Sequence, residues 1–162
     1  MKVSKNCIDL IKKFEGCRLS AYRCPAGVWT IGYGHTTGVR SGDTITQKQA
    51  DEYLLQDISK YEVMVNSYYD RYHWTQNEYD ALVSFAFNIG NITGLTGAGT
   101  RSKAIIAEKI LLYNKANGTT LPGLVRRRKE EHDLFVGPVP EEVPAAKKKK
   151  KVVKKPKNAD IM

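Results

Sequence analysis

A glutamate, a cysteine and a threonine stand at positions 15, 24 and 30, in the stretch EGCRLSAYRCPAGVWT. A carboxyl group that holds its proton can protonate a leaving oxygen, the first requirement for cutting a glycosidic bond. The second is a base that activates water, or a nucleophile, on the other side of the sugar. That chemistry leads one to expect a second carboxylate, and a cysteine, Cys24, stands where it is expected.

Glu15 suits the first task. It falls in the last turn of an expected helix, where the negative end of the macrodipole and the neighbouring Phe14 both push a carboxyl pKa upward from about 4.3. Cys24 suits the second less well, because a thiol titrates near 8.5 against about 3.9 for an aspartate. Taken singly, each residue has a plain structural reading: Glu15 a solvated charge, Cys24 a small buried hydrophobe, Thr30 a strand residue.

The elements that must position these residues are legible around them. Ser4 can cap a helix whose Cys7, Leu10, Ile11 and Phe14 recur at helical spacing, with Gly16 as its stop. RLSAY and VWTIGYGHTT, joined by CPAG, predict a hairpin within residues 18–37. Read as one strand, Val28, Thr30, Gly32 and Gly34 share a nearly bare face that could admit a ligand, opposite Trp29, Ile31, Tyr33 and His35. Thr46 with Gln49 and Thr75 with Glu78 form capping boxes that open two helices. The second, with an apolar run from Ala81 to Phe87, should be the central core helix. A helix around 102–117 follows the glycine-rich loop GNITGLTGAG. Pro122 then opens a last helix with Leu124, Val125, Phe135 and Val136 as its buried stripe and Arg128 directed inward. Glycines 90, 94, 97 and 99 could wall a cleft or form only a loose loop.

Composition bounds the rest. The 162 residues carry a net charge of +9, but eight lysines against one aspartate from residue 147 onward account for +7 of it, leaving +2 for residues 1–146. The body is therefore nearly balanced, which argues against a nucleic-acid-binding protein. Residues 1–137 are expected to form one domain, and 138–162, rich in proline and lysine, a flexible tail. That tail has no aromatic residue between Lys147 and Lys157, so it offers charge without stacking. It could contact anionic envelope polymers, nucleic acid or a virion, or serve only solubility. No apolar run approaches the roughly 20 residues of a membrane span, and Lys12 and Lys13 interrupt any signal-peptide core. The expected location is a cytoplasm, with three reduced thiols. Cys17 and Cys24 lie seven apart on either side of an expected turn, so a disulfide that blocks the site is conceivable. Cys7, a packed residue on the first helix, is a second candidate partner for Cys17.

The spacing of Glu15, Cys24 and Thr30 within FEGCRLSAYRCPAGVWTIGYGHT resembles the mark of the phage-type lysozymes of glycoside hydrolase family 24: Glu, eight residues, Asp or in some members Cys, five residues, Thr. QNEYDALVSFAFNIG and LPGLVRRRKEEHDLF are similar to the core and C-terminal helices of that family, in the same order. The resemblance covers roughly residues 6–136. It implies an α+β lysozyme-like fold, a small sheet-bearing lobe and a larger helical lobe flanking a cleft. It implies as substrate the glycan strands of bacterial peptidoglycan, cut at the β-1,4 bond after N-acetylmuramic acid, with no metal and no cofactor. Carried over residue by residue, Glu15 is the acid, Cys24 takes the Asp place, and Thr30 orients the water. Cys24 could act as a thiolate base with inversion, or as a nucleophile with retention; the first preserves the family geometry. His35 and Gly34 are candidate substrate contacts, His35 alternatively a brace bonded to a carboxylate. Arg128 could pair with Glu15 or another buried acid. Some secreted members control activity by thiol exchange, with an N-terminal membrane signal that MKVSKNCIDLIKKFEG does not resemble. The family also implies a monomer of phage or prophage origin that reaches the wall after a partner holin permeabilises the host membrane. Because the second carboxylate is missing, a catalytically weak or inactive peptidoglycan-binding module is the rival reading.

Overall fold

Ser4 turns the chain into helix α1, Lys5–Glu15, its side chain accepting from the Asn6 amide. The same residue ties the helix down at its start. The Ser4 amide donates to Asp80 Oδ1 at 2.9 Å and the Ser4 hydroxyl to Asp80 Oδ2. Cys7 and Ile11 then bury one stripe of α1 in the core, and Gly16, at φ 65°, ends it. The computed structural model describes residues 1–138.

Strands β1, Arg18–Arg23, and β2, Trp29–Gly32, pair antiparallel, with Tyr22 opposite Thr30 and Arg23 opposite Trp29. The expected hairpin is present, but the run from Val28 to His35 is not one strand. Ile31 and His35 exchange both backbone hydrogen bonds at 2.9 Å, across Gly32 and Gly34, which take φ of 63° and 91°. These are left-handed values that glycine adopts without steric penalty, and they turn the chain back on itself. No bare face results, since Thr30 and Ile31 are both buried. Gly32 lies against Ala50, and Gly34 faces the end of α1.

The expected capping box opens α2, Gln47–Asn66, and after the single turn α3, Tyr69–Tyr72, a second one opens α4, Gln76–Ile89. Every residue from Asn77 to Ala86 is buried, because α4 is packed on by α1, α2 and α7, Pro122–Val136. The glycine-rich loop contains one short helix, α5, Thr93–Thr96, and Ser102 caps α6, Lys103–Ile110. The helix expected to reach residue 117 stops at Ile110. Asn117 and Gly118, at φ 49° and 77°, instead close a two-residue hairpin of β3, Lys115–Ala116, and β4, Thr119–Thr120. An Asn-Gly pair is the preferred sequence for that turn.

Pro122 opens α7 as expected, but the buried stripe differs from the apolar one. Val125 and Val136 are exposed, and the buried residues are Arg127, Arg128, Glu131 and Phe135. Three charged side chains occupy this interior with Glu131 accepting from both arginines, while Arg128 Nε is left without a partner among the described residues; an unpaired buried charge costs several kcal/mol. The expected tail lies outside the described residues except for Pro138, whose carbonyl accepts from Asn77 Nδ2 at 2.7 Å. No helix among the described residues is long and apolar enough to cross a membrane.

Candidate active site

The end of α1 delivers Glu15 to the rim of a groove. A cavity of about 320 Å³ lies on one side, bounded by Gly34, Thr36 and Thr37 from the small lobe and by Asp57, Lys60, Tyr61, Phe87 and Asn88 from α2 and α4. A second, of about 600 Å³, lies on the other side against Leu121, Leu124, Arg126 and Arg127. Glu15 and Asn88 line both, so Glu15 sits at the waist of one elongated depression.

The carboxylate is held from behind. Arg127 Nη1 donates to Glu15 Oε1 at 2.6 Å, while the Glu15 side chain keeps 24% of its surface open to solvent. Arg127 Nε also donates to Glu131 Oε1 at 3.0 Å and Nη2 to the Ser84 carbonyl at 3.2 Å. Glu131 in turn accepts from the Ser84 hydroxyl at 2.9 Å and from Arg128 Nη1 at 2.6 Å. Arg128 finishes the chain on the Asn88 side-chain oxygen. Burial pushes the Glu131 carboxyl upward, opposed by the two guanidiniums, and lowers the Arg128 guanidinium. Charge-assisted bonds hold the Glu131 carboxylate between the two guanidiniums of Arg127 and Arg128.

Arg128 points inward as expected, yet it is Arg127 that meets Glu15. The two neighbours share the interior with different duties: Arg127 reaches the groove and Arg128 seals the core. Apolar periodicity does not reveal Arg127 and Glu131, because charged residues carry no weight in it. Their spacing of four, which puts opposite charges on one helical face, was the available signal.

Cys24 and Thr30 are joined through one backbone atom. The Val28 carbonyl accepts from the Cys24 amide at 3.0 Å and from the Thr30 hydroxyl at 2.9 Å. The Cys24 thiol is drawn below its ordinary range, chiefly by a hydrogen bond from the Val28 backbone; burial opposes this next, and Ala26, the Thr30 hydroxyl and Gly27 add lesser lowering contributions. Backbone amides converging on sulfur favour the thiolate. The Thr30 hydroxyl has one proton to give, so its bond to the Val28 carbonyl and a bond to a thiolate are alternatives.

The two halves of the candidate site differ in setting. Gly34 borders the cavity, and a side chain there would come within 3.9 Å of Glu15 Oε2; glycine keeps that oxygen uncovered. Cys24 and Thr30 stand outside the cavity lining, Thr30 buried and Cys24 half-buried at the hairpin turn. His35 is not a groove contact. It is buried, its Nδ1–H donating to both Asp57 oxygens at 2.9 and 3.1 Å and its ring stacked 4.3 Å from that of Tyr53. This is the bracing arrangement, and it clamps the glycine turn to α2.

The disulfide proposed between Cys17 and Cys24 does not fit. The two residues bracket the extended strand β1 rather than a turn, which at about 3.3 Å per residue separates them by roughly 20 Å, whereas a bridge needs Cα atoms within about 7 Å. All three cysteines are free. Cys7 is no better partner for Cys17, since it is fully buried and about 15 Å back along α1 at about 1.5 Å per residue. Cys17 Sγ lies instead 3.9 Å from Gln47 Oε1.

A helical body, a two-stranded antiparallel lobe and an acidic residue at the waist of the groove between them define a lysozyme-like protein. The chain belongs to the phage lysozyme family, whose model matches residues 12–131. It is 49% identical over 142 residues to the endolysin of Lactococcus phage c2, covering 86% of this chain and 62% of that one. The chain thus spans less than two thirds of that relative's length. It is 41% identical over 145 residues to the endolysin of Acyrthosiphon pisum secondary endosymbiont phage 1, covering 83% of this chain and 98% of the relative. Among solved structures it resembles the muramidase domain of SpmX from Asticaccaulis excentricus, with a TM-score of 0.73, 37% identity, and coverage of 85% of this chain and 99% of the other.

Proposed function

We propose that the protein is an endolysin, a muramidase that hydrolyses the β-1,4 bond between N-acetylmuramic acid and N-acetylglucosamine in bacterial peptidoglycan. The observation that carries this reading is the half-open Glu15 carboxyl at the waist of the groove, held on one oxygen by Arg127 and bare on the other beside Gly34. Glu15 gives its proton to the leaving oxygen, and Arg127 stabilises the carboxylate that remains. Cys24 as thiolate, with the Thr30 hydroxyl turned from the Val28 carbonyl, guides water to the anomeric carbon and takes its proton, and that carbon inverts. Retention through a bond from sulfur to the sugar is the alternative course.

The protein acts on the wall from the host cytoplasm, as a monomer, once a holin has opened the membrane, and causes lysis. Lys147 to Lys157, outside the described residues, add a salt-sensitive attraction to anionic envelope polymers. Deleting 146–162 is expected to weaken lysis at low salt and to have no effect at high salt.

The test is the release of new reducing ends from purified peptidoglycan under reducing conditions. Cleavage that leaves muramic acid at the new reducing end supports the proposal. A protein that binds the glycan and releases nothing is the inactive binding module, a reading favoured only by the thiol in place of a carboxylate. The anomer first formed, followed by NMR, separates inversion from retention.

A further inference from the structure

The Lys60 ammonium, on the Gly34 side of the groove, has no part in the mechanism above. Lys60 borders the cavity beside Glu15 and is in no ion pair among the described residues. The nearest carboxylate on its own helix face, Asp57, is three residues earlier and is held at both oxygens by His35. The Lys60 ammonium lies 4.9 Å from the ring centre of Tyr61, and Tyr61 meets Phe87 edge to face at 5.6 Å. Tyr61 and Phe87 line the same cavity. The cavity is thus lined by two aromatic side chains with a cation beside them that is in no ion pair among the described residues.

A neutral N-acetylhexosamine offers that cation only hydroxyl and amide oxygens, not an opposite charge. Muramic acid does: its 3-O-lactyl group ends in a carboxyl that is either free or extended by a stem peptide bearing carboxylates of its own. Resting on the muramidase reading, we propose that Lys60 is a specificity-determining residue that binds a carboxylate on the lactyl substituent of muramic acid, while Tyr61 and Phe87 support the ring. An ammonium meeting a carboxylate in a partly hydrated groove supplies a modest preference, enough to select muramic acid over glucosamine at that position.

The experiment crosses enzyme with substrate. Wild type, Lys60→Met and Lys60→Arg are assayed for reducing-end release on peptide-bearing glycan and on glycan stripped of its peptides, each with and without methyl esterification of its carboxyls. Binding by co-sedimentation is measured alongside on the same four preparations. Lys60→Met is expected to raise KM and weaken binding about three- to tenfold on the unesterified glycan that carries the recognised group, with kcat little changed. Esterification should remove the difference, and Lys60→Arg should restore most of it. A response on stripped glycan alone assigns the lactyl carboxylate, and on peptide-bearing glycan alone the stem peptide. Equal effects on esterified and unesterified glycan, or none on either, overturn the inference. A wild type that cuts nothing overturns the muramidase reading instead, and binding still reports on Lys60.

Discussion

The two halves of the site are built by opposite means. Glu15 is fixed by side chains far away in sequence: α1 is anchored at its start on Asp80 and at its end on Arg127, which is itself locked into a buried chain of charges through Glu131 and Arg128. Cys24 and Thr30 are fixed by a few consecutive residues, through the shared Val28 carbonyl and the amides of the turn. The acid thus depends on the integrity of the whole helical body, while the thiol depends on one hairpin. Disturbing the first should cost stability and activity together; disturbing the second should change the chemistry and leave the fold intact.

The largest expected effect separates the two on the stability side. Glu131→Gln leaves Arg127 and Arg128 facing each other without their shared anion, and a loss of about 3–5 kcal/mol is expected in urea unfolding. Cys24→Ser, by contrast, should unfold within about 0.5 kcal/mol of wild type. Equal losses in the two variants would erase the distinction.

Next comes the chemistry of the acid. Glu15→Gln keeps the bond length and loses the transferable proton, and reducing-end release is expected to fall by about 10²–10⁴-fold with glycan binding retained.

A smaller effect sharpens the contrast on the thiol side through pH. The turn lowers the Cys24 pKa, so alkylation by iodoacetamide should speed up with pH about a midpoint below the usual 8.5 of a thiol. Thr30→Val removes one of the groups that favour the thiolate, and the midpoint should move up. If activity needs the thiolate, its rising limb must follow the same midpoint. A Thr30→Val midpoint equal to wild type would show that the hydroxyl does not reach the sulfur.

The features that sequence reveals well are those decided within a few residues. Ser4, Thr46 with Gln49, Thr75 with Glu78 and Pro122 all begin helices where expected, because a cap satisfies its amides locally. Asn117–Gly118 is an equally local signal, a hairpin turn that a helical pattern continued to residue 117 conceals. The reversal at Gly32 and Gly34 was hidden by an alternation that looked continuous, although two glycines one residue apart mark a place where alternation can end. The Glu15–Arg127 contact joins residues 112 apart; the spacing of four pairs Arg127 with Glu131 but does not say which guanidinium reaches Glu15. Only the packing of α7 on α4 decides which guanidinium faces the groove. The same limit explains the failed disulfide: a spacing of seven is short across a turn and long along a strand.

The most direct measurement is reducing-end release as a function of pH by wild type, Cys24→Ser and Cys24→Asp on purified peptidoglycan under reducing conditions. With Cys24 in the water-activating role, Cys24→Ser should lose most activity, and Cys24→Asp should stay active with its rising limb moved toward acid, since a carboxylate ionises near 3.9. Three superimposable profiles of equal height would contradict that role.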